Sequence, residues 1–305
     1  MLIHRSPRLV LLGLLTAGLT LTTPAAAAAA PTPHPVLWLA QRGAAKVWIF
    51  GAADTRDQSW LTPHIRQAFD ESQEVWFEAP KPDPTTKAAS MEKEADALEQ
   101  KLGYDQQRSL FDDLGSTLSA RLLQAAQQYG VPRAALEHTR PWEAYFVLNH
   151  GYWAQRVKAG LGGTTEAPDA MFARMAWAAH KTVREENPTA ASITHFFADM
   201  TQEQQRERLK FLLDYFDDEA KGRHADQYDW IYGKSSTVNI DRMRIDYPAL
   251  YEVEHVERNI RWAAWIDSML TAGGTHFICI GNNHTLGPDS ILVQLQKRSI
   301  TPNPT

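Results

Sequence analysis

Cysteine is nearly absent. Cys279 is the only one in 305 residues, so no disulfide can form within the chain and its stability must come from packing. Long hydrophobic runs are missing too: the most apolar stretch, Leu9 to Leu21, has about 13 residues where roughly 20 are needed to cross a bilayer. Positive charge is in deficit, with 31 Lys and Arg against 36 Asp and Glu for a net −5. With no polybasic patch, the chain lacks the electrostatic footprint of a nucleic-acid or anionic-lipid binder.

Several catalytic signatures are absent as well. There is no Gly-x-Ser-x-Gly elbow and no His-Glu-x-x-His helix, which removes the commonest serine-hydrolase and zinc-protease patterns. Gly233-Lys234-Ser235 resembles the end of a phosphate loop, but Tyr228 stands where that loop needs glycine. Gly160-Leu161-Gly162-Gly163 follows no strand pattern and reads as a loop. Cys279 lies between Ile278 and Ile280 in an apolar run, the setting of a buried small hydrophobe rather than a nucleophile.

What is present begins with an export address. Residues 1–30 carry Arg5 and Arg8, no acid, the apolar centre, and then an alanine tract from Ala25 to Ala30, which is the layout of a secretory signal peptide, set at residues 1–28. Pro31 disfavours cleavage after Ala30, so the expected cut follows Ala27, Ala28 or Ala29. The mature chain would then have charge 29 − 36 = −7 and be secreted or periplasmic, with no stable membrane span.

At 44% hydrophobic and 22% charged residues, the remainder has a globular balance. Val36–Leu39 and Lys46–Phe50 read as strands around a turn at Arg42-Gly43. Leu61 to Glu71 has helical spacing, and Glu74–Glu78 is a third strand. From about residue 88 to 222 the pattern is helical, over 88–102, 116–129, 142–158 and 168–181, with a short strand near 182–184. Thr201-Gln-Glu-Gln204 has the spacing of a capping box ahead of a further helix. Residues 218–247 read as an irregular excursion, 247–271 as one long amphipathic helix, and His276–Ile280 as a buried strand. In that strand His276 alternates with Ile278 and Ile280, the position of a satisfied core or edge histidine.

Two strands therefore end in the same way, one in Gly51-Ala-Ala-Asp54 and the other in Gly281-Asn-Asn-His284. The expected architecture is α/β (α+β): a single domain over 29–305 with a central mixed β-sheet, built from two related strand–Gly-x-x-[His/Asp] halves around a large helical insertion. Ligands of open α/β sheets collect at the carboxyl ends of strands, which makes Asp54 and His284 candidate site residues.

The residues also carry a resemblance. Val47-Trp-Ile-Phe-Gly-Ala-Ala-Asp54, Leu61-Thr-Pro-His-Ile65 and Val75-Trp-Phe-Glu78 resemble the opening of the TraB/GumN family, which includes the Tiki proteins. Arg140-Pro141-Trp142 and the stretch Ile193 to Leu213 are similar to its middle. Glu257-Arg258-Asn259-Ile-Arg-Trp262 and Phe277-Ile-Cys-Ile-Gly-Asn-Asn-His284-Thr-Leu-Gly287 resemble its Arg-Asn helix and closing Gly-x-x-His block.

That resemblance implies a divalent-metal-dependent, peptidase-like hydrolase acting on a peptide or small-molecule ligand. Asp54, Glu78 and His284 would hold Mn, Co or Zn, and Glu78, Arg258 and Asn259 would serve the reaction. Arg258 would bind a substrate carboxylate or oxyanion, or clamp Glu78. The chain departs from the family pattern at Asp54, where histidine is usual, and at Asn187, where many relatives carry Glu; Glu185 and Glu186 are adjacent and could take that role. The alternative expectation is a non-catalytic haem- or small-molecule-binding protein on the same scaffold.

Overall fold

The computed structural model describes residues 32–53, 58–83, 89–160, 166–221 and 229–305. The expected signal peptide and Asp54 lie outside the described residues.

β1 (Leu37–Arg42) and β2 (Ala45–Ala52) form an antiparallel hairpin, turned at Gly43, whose φ of 61° suits a residue without a Cβ. α1 (Pro63–Glu71) starts where Thr62 accepts a hydrogen bond from the Ile65 amide and Pro63 occupies the first turn. It leads to β3 (Glu74–Phe77). The insertion follows with α2 (Ala89–Gly103), α3 (Leu110–Gln128), α4 (Arg133–Leu136), α5 (Pro141–Lys158), α6 (Pro168–Ala178), β4 (Thr182–Glu185), α7 (Ala190–Ala198) and α8 (Gln202–Ala220). After it come α9 (Val238–Asp246), α10 (Pro248–Tyr251), α11 (Glu257–Ala272), β5 (Thr275–Gly281), α12 (Ile291–Lys297) and β6 (Asn303–Pro304).

The strands form one mixed sheet in the order β4-β3-β5-β2-β1-β6. β4, β3, β5 and β2 run parallel, and β1 is antiparallel to both β2 and β6. β2 and β5 are apolar on both faces, as central strands require. Trp48, Phe50, Phe277 and Cys279 pack with Phe69 of α1 and Phe172 of α6 on one face. Val47, Ile49, Ile278 and Ile280 pack with Trp262 and Ile266 of α11 and Leu295 of α12 on the other. The insertion has its own core, where Leu122, Leu148, Leu209 and Phe216 bring α3, α5 and α8 together.

The fold class expected from the sequence is the one observed, and several boundaries differ from the reading. The capping box forms as expected, with Thr201 N–H donating to Gln204 Oε1 at 2.8 Å and Gln204 N–H to Thr201 Oγ1 at 3.2 Å. α3 begins at Leu110, six residues before the expected start, because Ser109 caps it and Gly115 interrupts it at φ 74°, ψ 166°. The excursion at 218–247 is partly regular: α8 continues to Ala220 and α9 fills 238–246. The expected helix 247–271 is divided by a π-helical turn at Glu252–Val256, a feature that apolar spacing does not encode. His276 is satisfied as expected, with Nδ1 3.1 Å from Glu74 Oε2 and Nε2 3.0 Å from the Gly273 carbonyl. Among the described residues no helix is long and apolar enough to cross a membrane.

Candidate active site at the carboxyl edge of the sheet

Parallel pairing sends the ends of four strands to one edge. Phe77 is level with Cys279 and with Glu185, so Glu78 and Glu186 leave β3 and β4 side by side. Ala52 is level with Gly281, so the two related glycine turns leave β2 and β5 at that same edge. Space there is tight. A Cβ on Gly51 would lie 2.7 Å from Asn282 Oδ1 and 3.1 Å from Asn282 Cα, and one on Gly281 would lie 3.1 Å from Glu78 Oε1. Glycine at both positions is thus a condition of the close approach.

Glu78 is half-buried and held on both oxygens. Oε1 accepts from the Gly281 amide, and Oε2 accepts from Arg258 Nη2 at 2.8 Å. His284 Nε2 lies 3.6 Å from the same Oε2. Burial works to raise the Glu78 carboxyl, but His284, Arg258 and the Gly281 N–H outweigh it and hold the group well below the usual carboxylate range. Glu78 is therefore an anion throughout the neutral range and a poor resident for a proton.

His284 is oriented from behind. Asn259, fully buried on α11, donates from Nδ2 to the Asp289 carbonyl at 2.8 Å. That leaves its Oδ1 to accept from His284 Nδ1 at 2.6 Å. The proton so placed on Nδ1 leaves Nε2 as the nitrogen facing Glu78. A histidine fixed through its far nitrogen is the arrangement found behind metal ligands. His255 stacks on the His284 ring at 5.8 Å and 12°. Burial, and then its histidine neighbour, push His255 down to about 4, which keeps it neutral at pH 7.

Arg258 is a clamp rather than a free cation. Its Nε donates to Glu186 at 3.0 Å and its Nη2 reaches both Glu186 and Glu78. The Glu186 side chain, 3% exposed, also accepts from Arg261 and from Trp262 Nε1. Of the acids beside Asn187, Glu186 is the one that meets Arg258. Asn187 instead binds the Glu78 carbonyl through its amide and side chain, at 3.2 and 3.3 Å. Glu185 accepts from the Lys81 amide at 3.3 Å.

Beside this cluster lies a cavity of about 200 Å³ lined by Glu78, Asn187, Phe196, Arg208, Glu254 and Arg258. Arg208 pairs there with Glu254 and faces the rings of Tyr145 and Phe197 at 4.1 and 4.3 Å. Sequence reading overlooked His255, Arg208 and Glu254. For His255 a signal existed, since it precedes Asn259 by four residues and so shares its helix face.

The donor set can be tested against a divalent ion. Imidazole nitrogen and carboxylate oxygen suit Zn, Mn or Co, and 3.6 Å is less than two ligand distances of about 2 Å placed end to end. Among the described residues no group of three His, Cys, Asp or Glu side chains converges for a metal. Glu78 and His284 thus fit as two ligands, and Asp54, the third expected from the sequence, lies outside the described residues.

A six-stranded mixed sheet with a helical insertion, and a carboxylate–histidine–arginine cluster at its carboxyl edge, define an α/β protein with a strand-edge site. The profile of the TraB/PrgY/gumN family matches residues 36–304, and the chain belongs to that family. No curated protein and no solved structure gives a significant match.

Proposed function

We propose that the protein is an exported hydrolase whose chemistry is centred on Glu78 and His284, with a divalent metal, Mn, Co or Zn, held by these two and Asp54. The observation that carries this reading is the chain from the Asp289 carbonyl through Asn259 to His284 Nδ1, which turns Nε2 toward Glu78. Bound there, a divalent ion would polarise a peptide or ester carbonyl and acidify water. The protein's own groups divide the remaining work. Glu78 stays anionic, Arg258 and the Gly281 amide fix its two oxygens, and Asn259 holds the His284 ring through Nδ1 so that Nε2 is left to ligate. Export rests on residues 1–28, and the substrate is a peptide or another small carbonyl compound.

Metal analysis of protein purified without chelators tests this. The expected result is one Mn, Co or Zn per chain, lost in His284→Ala and in Asp54→Ala. A wild-type protein that takes up no divalent ion when offered one near neutral pH overturns the metal mechanism. The engagement of Glu78 by Arg258 favours a second reading in that case, a non-catalytic binder of haem or another small ligand on the same scaffold.

A further inference from the structure

A larger cavity, about 570 Å³, opens between the strand edge and the insertion, next to the cluster just described. Its size is that of a small-molecule site. Two helices turn aromatic stripes toward it: Tyr145, Tyr152 and Trp153 from α5, and Phe211 and Tyr215 from α8. The offsets of seven and eight residues on α5 and of four on α8 place each set along one helical face. Trp230 closes the apolar wall, and its Nε1 donates to the Gly51 carbonyl at 2.8 Å. Trp153 remains 41% exposed, a large ring left facing solvent at the mouth.

The polar lining is of a different kind from that of the Glu78 cluster. Lys234 is the one charged side chain among the described lining residues, and it has no carboxylate or hydrogen-bond partner among the described residues. The side-chain amides of Asn149, Asn239 and Asn283 likewise line the cavity with no protein partner there. Lys234 is nevertheless held in place from both sides. The Trp230 bond anchors the chain before it, and Asn282 Nδ2 donates to Ser235 Oγ at 3.0 Å immediately after it. Aromatic walls, unspent amides and one unpaired ammonium ask for a ligand with an apolar or aromatic body, hydrogen-bonding groups along it, and one negative end.

We infer that this cavity binds a carboxylate-terminated molecule with an aromatic body, the carboxylate pairing with Lys234 and the body lying between the α5 and α8 rings. Asn149, Asn239 and Asn283 bond to the ligand's amide or hydroxyl groups. Such a carboxylate comes either from the C-terminus of a peptide or from a free aromatic acid. The cavity borders both glycine turns of the candidate site, but the inference is read by binding alone and needs neither hydrolysis nor a metal.

The test is a tryptophan-fluorescence titration of the full chain, backed by calorimetry, with three probes: N-acetyl-phenylalanyl-phenylalanine, its C-terminal amide, and 3-phenylpropanoate. It is run on the wild type and on His284→Ala, so that turnover cannot distort binding. The free dipeptide acid should bind at least tenfold more tightly than its amide. Lys234→Met should reduce the acid to the affinity of the amide, and Trp153→Ala should weaken both. Lys234 and Trp153 are exposed, and circular dichroism checks that both variants are folded. Binding of 3-phenylpropanoate as tight as the dipeptide identifies a free acid as the source, and binding that is tenfold weaker identifies a peptide C-terminus. Absence of saturable binding by all three probes, equal affinity for acid and amide, or an unchanged Lys234→Met overturns the inference. Retained binding in a protein that takes up no metal overturns the hydrolase reading alone.

Discussion

Arg258 lies between two carboxylates, Glu78 and Glu186, and is itself largely buried, at 12% side-chain exposure. Burial opposes its charge, but the two acids outweigh that and push its pKa up. Removing one member of a buried ion cluster leaves the others uncompensated, at a cost of about 3–5 kcal/mol. Arg258→Met should therefore lower the melting temperature by about 10 °C at neutral pH. The deficit should shrink toward acid pH, where the two carboxylates can protonate; a deficit independent of pH would show that lost packing, not charge, is the cause. Arg258→Lys should rescue little, because an ammonium cannot reproduce the forked contact with Glu186. At this scale the sequence was informative where chemistry is concentrated in short blocks. Glu78, Arg258, Asn259 and His284 all reach one cluster, and Glu186, noted in the sequence only as a neighbour of Asn187, pairs with Arg258 there. Arg208 and Glu254 were not, since charged residues 46 positions apart in helical segments give no sign in one sequence that they meet.

Among the elements, the strands were the most legible, because β2 and β5 are short apolar runs that end at glycine. Helix interiors followed from their spacing. The errors fall where backbone geometry departs from an ideal repeat, at the Gly115 break in α3 and at the π turn before α11. That π turn has a local consequence, since an extra residue in the turn resets which side chains of the following helix face the sheet edge. The junction of β2 with the turn after β5 is the tightest in the site. Gly51→Ala would press a methyl group against the Asn282 backbone, and overpacking of this kind costs about 1–3 kcal/mol. Urea unfolding should show that loss, whereas Gly43→Ala, which meets nothing within 4 Å, should show only the smaller penalty of a left-handed backbone. A loss in Gly51→Ala no larger than that in Gly43→Ala would show that Asn282 yields to the added methyl group.

For the whole molecule, stability against pH combines two buried groups of opposite effect. Glu143, 2% exposed on α5, is pushed up to about 7 by burial and then by Glu99. The folded state thus holds its proton where the unfolded state has released it, and stability falls as pH rises from about 4.5 to 7. His255, lowered to about 4, acts in the other direction: its contribution is complete above about 6.5 and is lost as pH falls toward 4. Each amounts to no more than ~3 kcal/mol, and over the shared window they oppose one another. Thermal melts should show Glu143→Gln gaining stability above pH 7 and leaving a profile that declines toward acid, while His255→Phe loses part of that acid decline. Parallel profiles for the wild type and both variants would contradict these assignments.

The bond from the Gly281 amide to Glu78 has one more consequence. It crosses from one strand end to another and joins a backbone proton to the central anion of the cluster. Whatever changes the charge on Glu78, whether an arriving ion, a displaced guanidinium or a proton, changes the electron density at that single amide. Gly281 is thus a built-in spectroscopic reporter, from which the state of the carboxylate can be followed by nuclear magnetic resonance without labelling the side chain or adding a substrate.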